Sequence, residues 1–350
     1  LPANFTTNGA AVDDEGNLYV SDFENQYIRK ISADGMVTTV AGNGIAGYVD
    51  GLAATAEFNY PRGIVVDASG NLYVSDSWNH RIRKIDVSGE VSTYAGGGNI
   101  FGVQSVSEFK DGNDTTARFY TPCGLSMDEA GNIYVADAYN HRVRKIDPAR
   151  VVTTVAGTGL SGSTGGGFQD GDTSVARFNT LTELFVTSSS VIYVSDTYNN
   201  RIRLVENGVV STVAGSGVAG YLDGLDTVAK FNHTRGVILD STGNHLYVCD
   251  GNNRRIRKVT FDISVGIETA TIPNDFSVFP NPSSGVFFVG GLFSGQKILV
   301  TDMMGRTVYK GIFAEGNRKI DIGLYSAGMY LIKVDGGKRS GKIWKVYKME

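Results

Sequence analysis

One five-residue phrase recurs through the chain and limits what it can fold into. "LYVSD" at Leu18–Asp22 returns as "LYVSD" ending at Asp76, "IYVAD" ending at Asp137, "IYVSD" ending at Asp196 and "LYVCD" ending at Asp250, at intervals of 54, 61, 59 and 54 residues. Each copy runs into the same turn, D-x-x-N-x-x-[IV]-R. The turn is carried by Asp22/Asn25/Arg29, Asp76/Asn79/Arg83, Asp137/Asn140/Arg144, Asp196/Asn199/Arg203 and Asp250/Asn253/Arg257. A short β-type run precedes each phrase, such as "GIVVD" at Gly63–Asp67. A unit this small cannot bury its own faces, so the chain must be built by stacking copies.

The connectors repeat as well. They read A-G-x-G, an aromatic, x-D-G, then x-x-x-x-A-x-F, with Tyr48/Asp50/Ala56/Phe58, Phe109/Asp111/Ala117/Phe119, Phe168/Asp170/Ala176/Phe178 and Tyr221/Asp223/Ala229/Phe231. Gly42, Gly44 and Gly47 stand in G-x-G-x-x-G spacing, the pattern of a dinucleotide-binding turn. That spacing occurs three times, from Gly42, Gly157 and Gly215, breaks down in the copy at Gly96, and leads into a short "F-N" segment each time. A nucleotide site needs one such turn before a long helix. These glycines are instead expected to supply positive φ in connectors, and the Asp-Gly pair to turn the chain and cap a helical turn.

Each unit holds about four short strands; the second copy supplies "GIVVDAS", "NLYVSDS", "RIRKID" and "VSTYAG". Radial repetition of four-stranded sheets predicts an all-β chain with a β-propeller. The pattern P-x-G-[IV]-x-V-D-x-x-G-N-[LI]-Y-V-[SA]-D-x-x-N-x-R-I-R resembles the NHL repeat over residues 1–261. Repeat four departs, with Glu183 in place of Gly and "SSSVIYV" in place of "GNLYV", which leaves its first strand and turn weakly specified. Repeat five lacks the final "V-x-T-V-A-G" strand, and repeat one lacks a full connector before it. The resemblance implies six blades, so the expectation is that five visible repeats form an N-terminally incomplete piece of a longer protein.

From Asp262 the repeat stops. Residues 262–275 read as a linker, and residues 276–350 carry alternating segments that predict about seven strands, a small β-sandwich. Pro280-Asn281-Pro282 with Gly285, the run Asp302/Gly305/Arg306, Gly328 with Tyr330 and the basic-aromatic end Lys342–Lys348 resemble the carboxy-terminal sorting domain of the type IX secretion system of Bacteroidetes. That resemblance implies the secretion machinery as a partner, export across both membranes of a Gram-negative cell, and a place secreted or on the outer surface.

Charge narrows the function classes. Residues 1–270 hold 21 basic and 30 acidic side chains, a net of −9, whereas residues 271–350 hold 11 basic and 6 acidic, a net of +5. A large unit at −9 is unsuited to gripping nucleic acid. No apolar run is long enough to span a bilayer. Two cysteines, Cys123 and Cys249, give no disulfide framework.

The sequence names no catalytic residue, metal ligand set or cofactor. His80 and His141 share a slot that holds Gln26, Asn200 and Arg254 in the other copies, which reads as a polar turn position. His233 and His245 fall elsewhere. The propeller resemblance brings an enzyme precedent, the peptide-amidating lyase with its metal-bound histidines, but that ligand set has no counterpart positions here. The Asp, Asn and Arg present in all five copies read as structural, with Asp and Asn bonding local backbone.

Function is expected where the copies differ. The position just before each inner strand holds Asn8, Arg62, Cys123, Thr182 and Arg235, which would ring one mouth of a central channel. Two arginines there suit an anionic group such as a carboxylate or an acidic sugar; the competing reading pairs both with nearby aspartates in structural bridges. The sequence thus predicts an exported propeller that binds an extracellular protein, peptide or glycan. The alternatives are an extracellular metal-dependent lyase or lactonase, and a passive module in a surface assembly.

Overall fold

The computed structural model describes residues 6–97, 109–261, 277–279, 286–290, 297–302, 305–312, 319–335 and 342–348. The chain forms two compact units, Leu1–Asp262 and Ile263–Glu350. Both are all-β with antiparallel sheets, and the described helical segments are single 3-10 turns.

The first unit is a propeller of five described blades. Blade 2 shows the plan: an inner strand Pro61–Val66, then Leu72–Asp76, Arg81–Ile85 and an outer strand Glu90–Ala95. The connector adds a two-residue strand, Gly51–Leu52, to the outer edge. The other inner strands are Thr7–Val12, Pro122–Met127, Leu181–Val186 and Thr234–Leu239, and they stand beside one another in chain order around the channel. Repeat four therefore builds the same strand as its neighbours despite its altered sequence. Blade 5 has three strands and ends at Arg255–Thr260, as the missing sequence element requires. Its Ile256 is 68% exposed, whereas Ile28, Ile82, Val143 and Ile202 at the same position are fully buried, so no described residue covers this face of blade 5.

Apolar residues at alternate strand positions meet those of the next blade and form one core per seam. The connector aromatics Phe58, Phe119, Phe178 and Phe231, at most 3% exposed, plug those seams. Gly42, Gly157 and Gly215 take φ near 105°, as expected of connector glycines, and a Cβ on Gly42 would lie 2.4 Å from the Gln26 carbonyl oxygen.

One buried clamp accounts for the invariant turn. The Asp137 carboxylate accepts the Tyr120 backbone N–H at 2.7 Å and the Asn140 side-chain amide at 2.8 Å, and pairs with Arg144 at 2.7 Å. The same guanidinium reaches the connector's Asp111 at 2.7 Å and lies near the rings of Phe109 and Phe119. Arg83, Arg203 and Arg257 repeat this with Asp76/Asp50, Asp196/Asp170 and Asp250/Asp223. The connector aspartates were expected to cap a helical turn; they tie to an arginine instead, and the 3-10 turns at Asp114–Thr116 and Asp226–Val228 have no side-chain cap. A charge–charge hydrogen bond to a fully buried guanidinium outweighs a single neutral cap.

The second unit is a sandwich of a three-stranded sheet, Ser277–Phe279, Val286–Gly290 and Lys319–Asp321, and a four-stranded sheet, Lys297–Asp302, Thr307–Ile312, Gly328–Asp335 and Lys342–Lys348. Phe287 and Ile320 of one sheet pack with Ile298, Val300, Tyr330, Ile332 and Val346 of the other. Asp302 and Arg306 close a tight turn by an ion pair of 2.7 Å around Gly305, whose φ is 79°. Gly328 opens the longest strand and the Tyr330 hydroxyl donates to the Ser326 carbonyl. Pro280, Asn281, Pro282, Gly285 and the linker lie outside the described residues.

Candidate binding site at the channel mouth

The inner strands and the D-x-x-N turns meet at one end of each blade, because Pro61 pairs with Asp76 and Val66 with Leu72 across the first two strands. Asn8, Arg62, Cys123, Thr182 and Arg235 are each the second residue of an inner strand and stand at this end. Adjacent members touch where the structure records contacts. Arg62 Nη1 donates to Cys123 Sγ at 3.3 Å, and Thr182 Oγ1 donates to the Arg235 carbonyl at 3.5 Å. Inner strands approach so closely that a Cβ on Gly63 would lie 2.3 Å from the Cys123 carbonyl oxygen. Serines seal that approach: Ser75 Oγ accepts the Gly63 N–H at 2.7 Å, and it also donates to the carbonyl of Cys123.

Among the described residues neither Arg62 nor Arg235 pairs with a carboxylate, so the expectation of structural bridges with aspartate is not met. The aspartates at this end are taken by the clamp arginines. Arg62 lies 5.1 Å from the Phe23 ring centroid, and its Nε is buried without a hydrogen-bond partner. Arg235 and Asn8 are exposed, Thr182 half-buried and Cys123 buried. Burial pushes the Cys123 thiol up, the Arg62 charge working against it, so it stays protonated and unreactive at neutral pH.

Glu183, the departure in repeat four, lies against the inner strand of blade 3. Its carboxylate occupies the space a Cβ on Gly124 would need, at 2.1 Å. Burial raises its pKa to about 8, offset only by the Leu184 N–H that its own carboxylate accepts at 3.2 Å. Among the described residues Ser195 Oγ is buried without a hydrogen-bond partner, unlike Ser75 at the same repeat position.

Aromatic rings extend the mouth outward, and the sequence reading missed them. Trp78, Tyr139 and Tyr198 share the third position of the D-x-x-N turn, a signal visible in three consecutive copies. Tyr60 stacks on Trp78 with centroids 3.9 Å apart and meets Phe23 at 4.9 Å; Tyr120 meets Tyr139 at 5.3 Å, and Tyr198 meets His233 at 5.0 Å. Burial pushes the Tyr139 phenol up, with Tyr198, Arg62 and Cys123 all near enough to act on it.

The histidine slot does more than turn the chain. Gln26, His80, His141 and Asn200 all sit at positive φ, between 50° and 62°. Each side chain accepts a backbone N–H from the next blade: Tyr60 N–H at 2.7 Å, Thr121 N–H at 3.1 Å, Thr180 N–H at 3.0 Å and His233 N–H at 2.9 Å. Those four partners are themselves held at φ of 53–56°, a costly setting for a β-branched residue that the cross-blade bond sustains. Desolvation depresses the His80 pKa to about 4 and lowers that of His141. Among the described residues no three His, Cys, Asp or Glu side chains come together as a metal would require.

Two grooves lie away from the mouth. The larger, about 630 Å³ and lined by Tyr19, Lys30, Asp67 and Asp86, is at the opposite end of blades 1 and 2.

Comparison with known proteins accounts for both units. Residues 58–85 and 119–146 match the NHL repeat, and residues 277–346 match the secretion system C-terminal sorting domain. The chain is similar to NHL repeat-containing protein 2 of Homo sapiens, at 36% identity over 149 residues, covering 39% of this chain and 20% of that protein. It is also similar to Teneurin-1 of Gallus gallus, at 30% identity over 234 residues, covering 60% of this chain and 8% of that protein. The chain thus spans a fifth or less of these relatives. Among solved structures, an auxiliary nutrient binding protein from Bacteroides thetaiotaomicron superposes with a TM-score of 0.54 at 19% identity, over 72% of this chain and 58% of that one. That likeness establishes the propeller fold. The chain carries NHL repeats and a secretion-sorting tail, which marks it as exported to the cell surface or beyond.

Proposed function

We propose that this exported NHL-repeat protein is a recognition scaffold that holds an extracellular protein, peptide or glycan at the channel mouth, while the C-terminal domain engages the type IX secretion machinery. The observation that carries the reading is the pairing of two arginines that meet no carboxylate among the described residues with an arc of half-buried aromatic rings at one end of the blades. Rigid blades below and side chains that vary from copy to copy above are the usual arrangement of a binding surface. Aromatic residues and arginine are also the types that dominate binding hot spots. The mouth's inner ring holds no histidine, and its one thiol is protonated, which gives the lyase or lactonase reading no support.

Full-length protein probed on glycan and peptide arrays should retain a ligand class, and the Trp78→Ala/Tyr139→Ala variant should lose it about tenfold or more. Equal retention by that variant, with an unchanged circular dichroism spectrum, would move the site away from the mouth. Metal content measured on protein purified without chelator gives a second check. Stoichiometric zinc or calcium surviving dialysis would revive the enzyme reading.

A further inference from the structure

We infer that the groove between blades 1 and 2 is a second interaction surface, one that seats an arginine side chain of an extended basic peptide. The groove lies at the opposite end of the blades from the mouth, and its role is independent of the one proposed there.

The repeat itself shows what this groove lacks. Strand register puts Gly89, Arg150 and Gly208 at one position, two residues before the outer-strand valine that pairs with Ile85, Ile146 or Val205. Their carbonyls accept equivalent connector N–H groups, those of Ala53, Asp114 and Thr173. In the seam between blades 2 and 3, Arg150 reaches across to blade 2. Its Nε donates to the Tyr94 carbonyl at 3.0 Å and pairs with Asp114 at 2.5 Å, and its guanidinium lies 5.5 Å from the Tyr94 ring centroid. Between blades 1 and 2 the position is Gly89, Val40 stands for Tyr94, and a groove of about 630 Å³ opens.

The lining suits a cation on an apolar stem. Val40, Val66, Leu72 and Ile85 give the groove apolar surface, and Asp13, Asp14, Glu15, Asp67 and Asp86 face one cation, Lys30. Lys30 does not replace the missing arginine, because Lys84 and Lys145 hold its position in the next two blades. Asp14 and Glu15 are exposed and stand where blade 2 has Ala68 and Ser69. Asp13, Asp67 and Asp86 are tied into turns by Asn17, Asn71 and Ser88, whereas Asp14 bonds to no described residue.

Among the described residues no three carboxylates converge as a metal ion would require. Negative charge spread along an apolar cleft matches a long side chain, whose stem packs on the wall while its head meets the acids. Arginine fits better than lysine because its fork can share two carboxylates, as Arg83 already does with Asp50 and Asp76. The net −9 of residues 1–270 draws a basic segment toward the surface. The smaller groove, about 350 Å³ between blades 3 and 4, also has a glycine here, Gly208. Its lining sets one carboxylate, Glu206, against Lys145, so it offers a cation nothing comparable.

The test titrates full-length protein with a short blocked peptide, one arginine among glycines and serines, and with its citrulline counterpart, which keeps the shape and loses the charge. The arginine peptide should bind about tenfold more tightly or better, by a margin that shrinks as salt is raised. Gly89→Arg refills the groove from within, as Arg150 does in the next seam, and should weaken the arginine peptide about tenfold. The position tolerates a side chain: φ is 84° at Gly89 and 65° at Arg150, and a Cβ on Gly89 meets only the Ala53 Cβ, at 3.7 Å. Gly208→Arg adds the same charge to the other groove and should leave binding unchanged. If Gly89→Arg fails to fold, Asp14→Asn/Glu15→Gln serves instead and should weaken binding about fivefold. Equal affinity for the two peptides, or no binding of the arginine peptide, would overturn the inference. Equal losses from Gly89→Arg and Gly208→Arg would overturn it too, by tracing binding to overall charge. Spermidine held more tightly than the arginine peptide would overturn the peptide as occupant. Trp78→Ala/Tyr139→Ala should change none of these affinities, which keeps the groove distinguishable from the mouth.

Discussion

Replacing Arg144 with methionine is expected to destabilise the propeller by about 3–5 kcal/mol, the range for stripping one partner from a buried ion pair. Arg144 and Asp137 are both fully buried, and without the guanidinium Asp137 keeps only the Tyr120 N–H and the Asn140 amide as donors. Asp111 is 43% exposed and returns to water at little cost, so the loss falls on Asp137. Blade 1 supplies the internal control. Arg29 fills the same repeat position, but its side chain is 25% exposed and it meets one carboxylate, Asp22, at 3.3 Å. Asp22 is itself fully buried, but solvent reaches the arginine side of this longer pair, so Arg29→Met should cost less than Arg144→Met, about 1–3 kcal/mol. Urea midpoints at constant m-value measure both. A similar small loss for the two variants would mean that the clamps tolerate solvent and do not hold the blades.

The second large effect is on pH dependence. The Nδ1 atoms of His80 and His141 accept backbone N–H bonds from the next blade, which only a neutral ring can do. With a folded pKa of about 4 for His80 against about 6.5 unfolded, the unfolded chain binds the proton first as pH falls. Stability is then full above about pH 6.5 and declines as pH drops toward 4, by about 2 kcal/mol at pH 5 from His80 alone. His141 acts in the same direction. Thermal melts of the wild type between pH 7.5 and 5 should show this slope. His80→Gln, which installs the residue blade 1 already uses as Gln26, should keep the clasp and flatten the slope. An unchanged slope in the double variant His80→Gln/His141→Gln would place the titration elsewhere.

Much of the fold was legible because it is written in local rules. Alternation within "LYVSD", positive-φ glycines in the connectors and the D-x-x-N turn each act over a few residues, and each recurs. The sorting domain was legible from motifs in order. One longer-range signal was available and went unread. The separation between connector aspartate and clamp arginine is 33 residues in three repeats and 34 in the fourth, while the repeat interval varies from 54 to 61. Length varies by at most one residue within a clamp and by up to seven between repeats, so the nearly constant interval marks two residues that bond. The capping role expected for Asp50 and its counterparts failed for that reason: a partner 33 residues away outcompeted the neighbouring backbone.

By itself, then, the sequence determined strand content, repeat number and export, since period-two patterning, turn chemistry and sorting motifs need no knowledge of what lies across a seam. The tertiary structure decided which side chains act. Among the described residues it left Arg62 and Arg235 without carboxylate partners, made His80 and His141 acceptors for the next blade, and gathered Tyr60, Trp78, Tyr120 and Tyr139 at one end. Those outcomes depend on groups 18 to 61 residues apart meeting side by side, as Tyr60 meets Trp78 and Arg62 meets Cys123. Radial packing of separate repeats sets those meetings, and no local pattern encodes them.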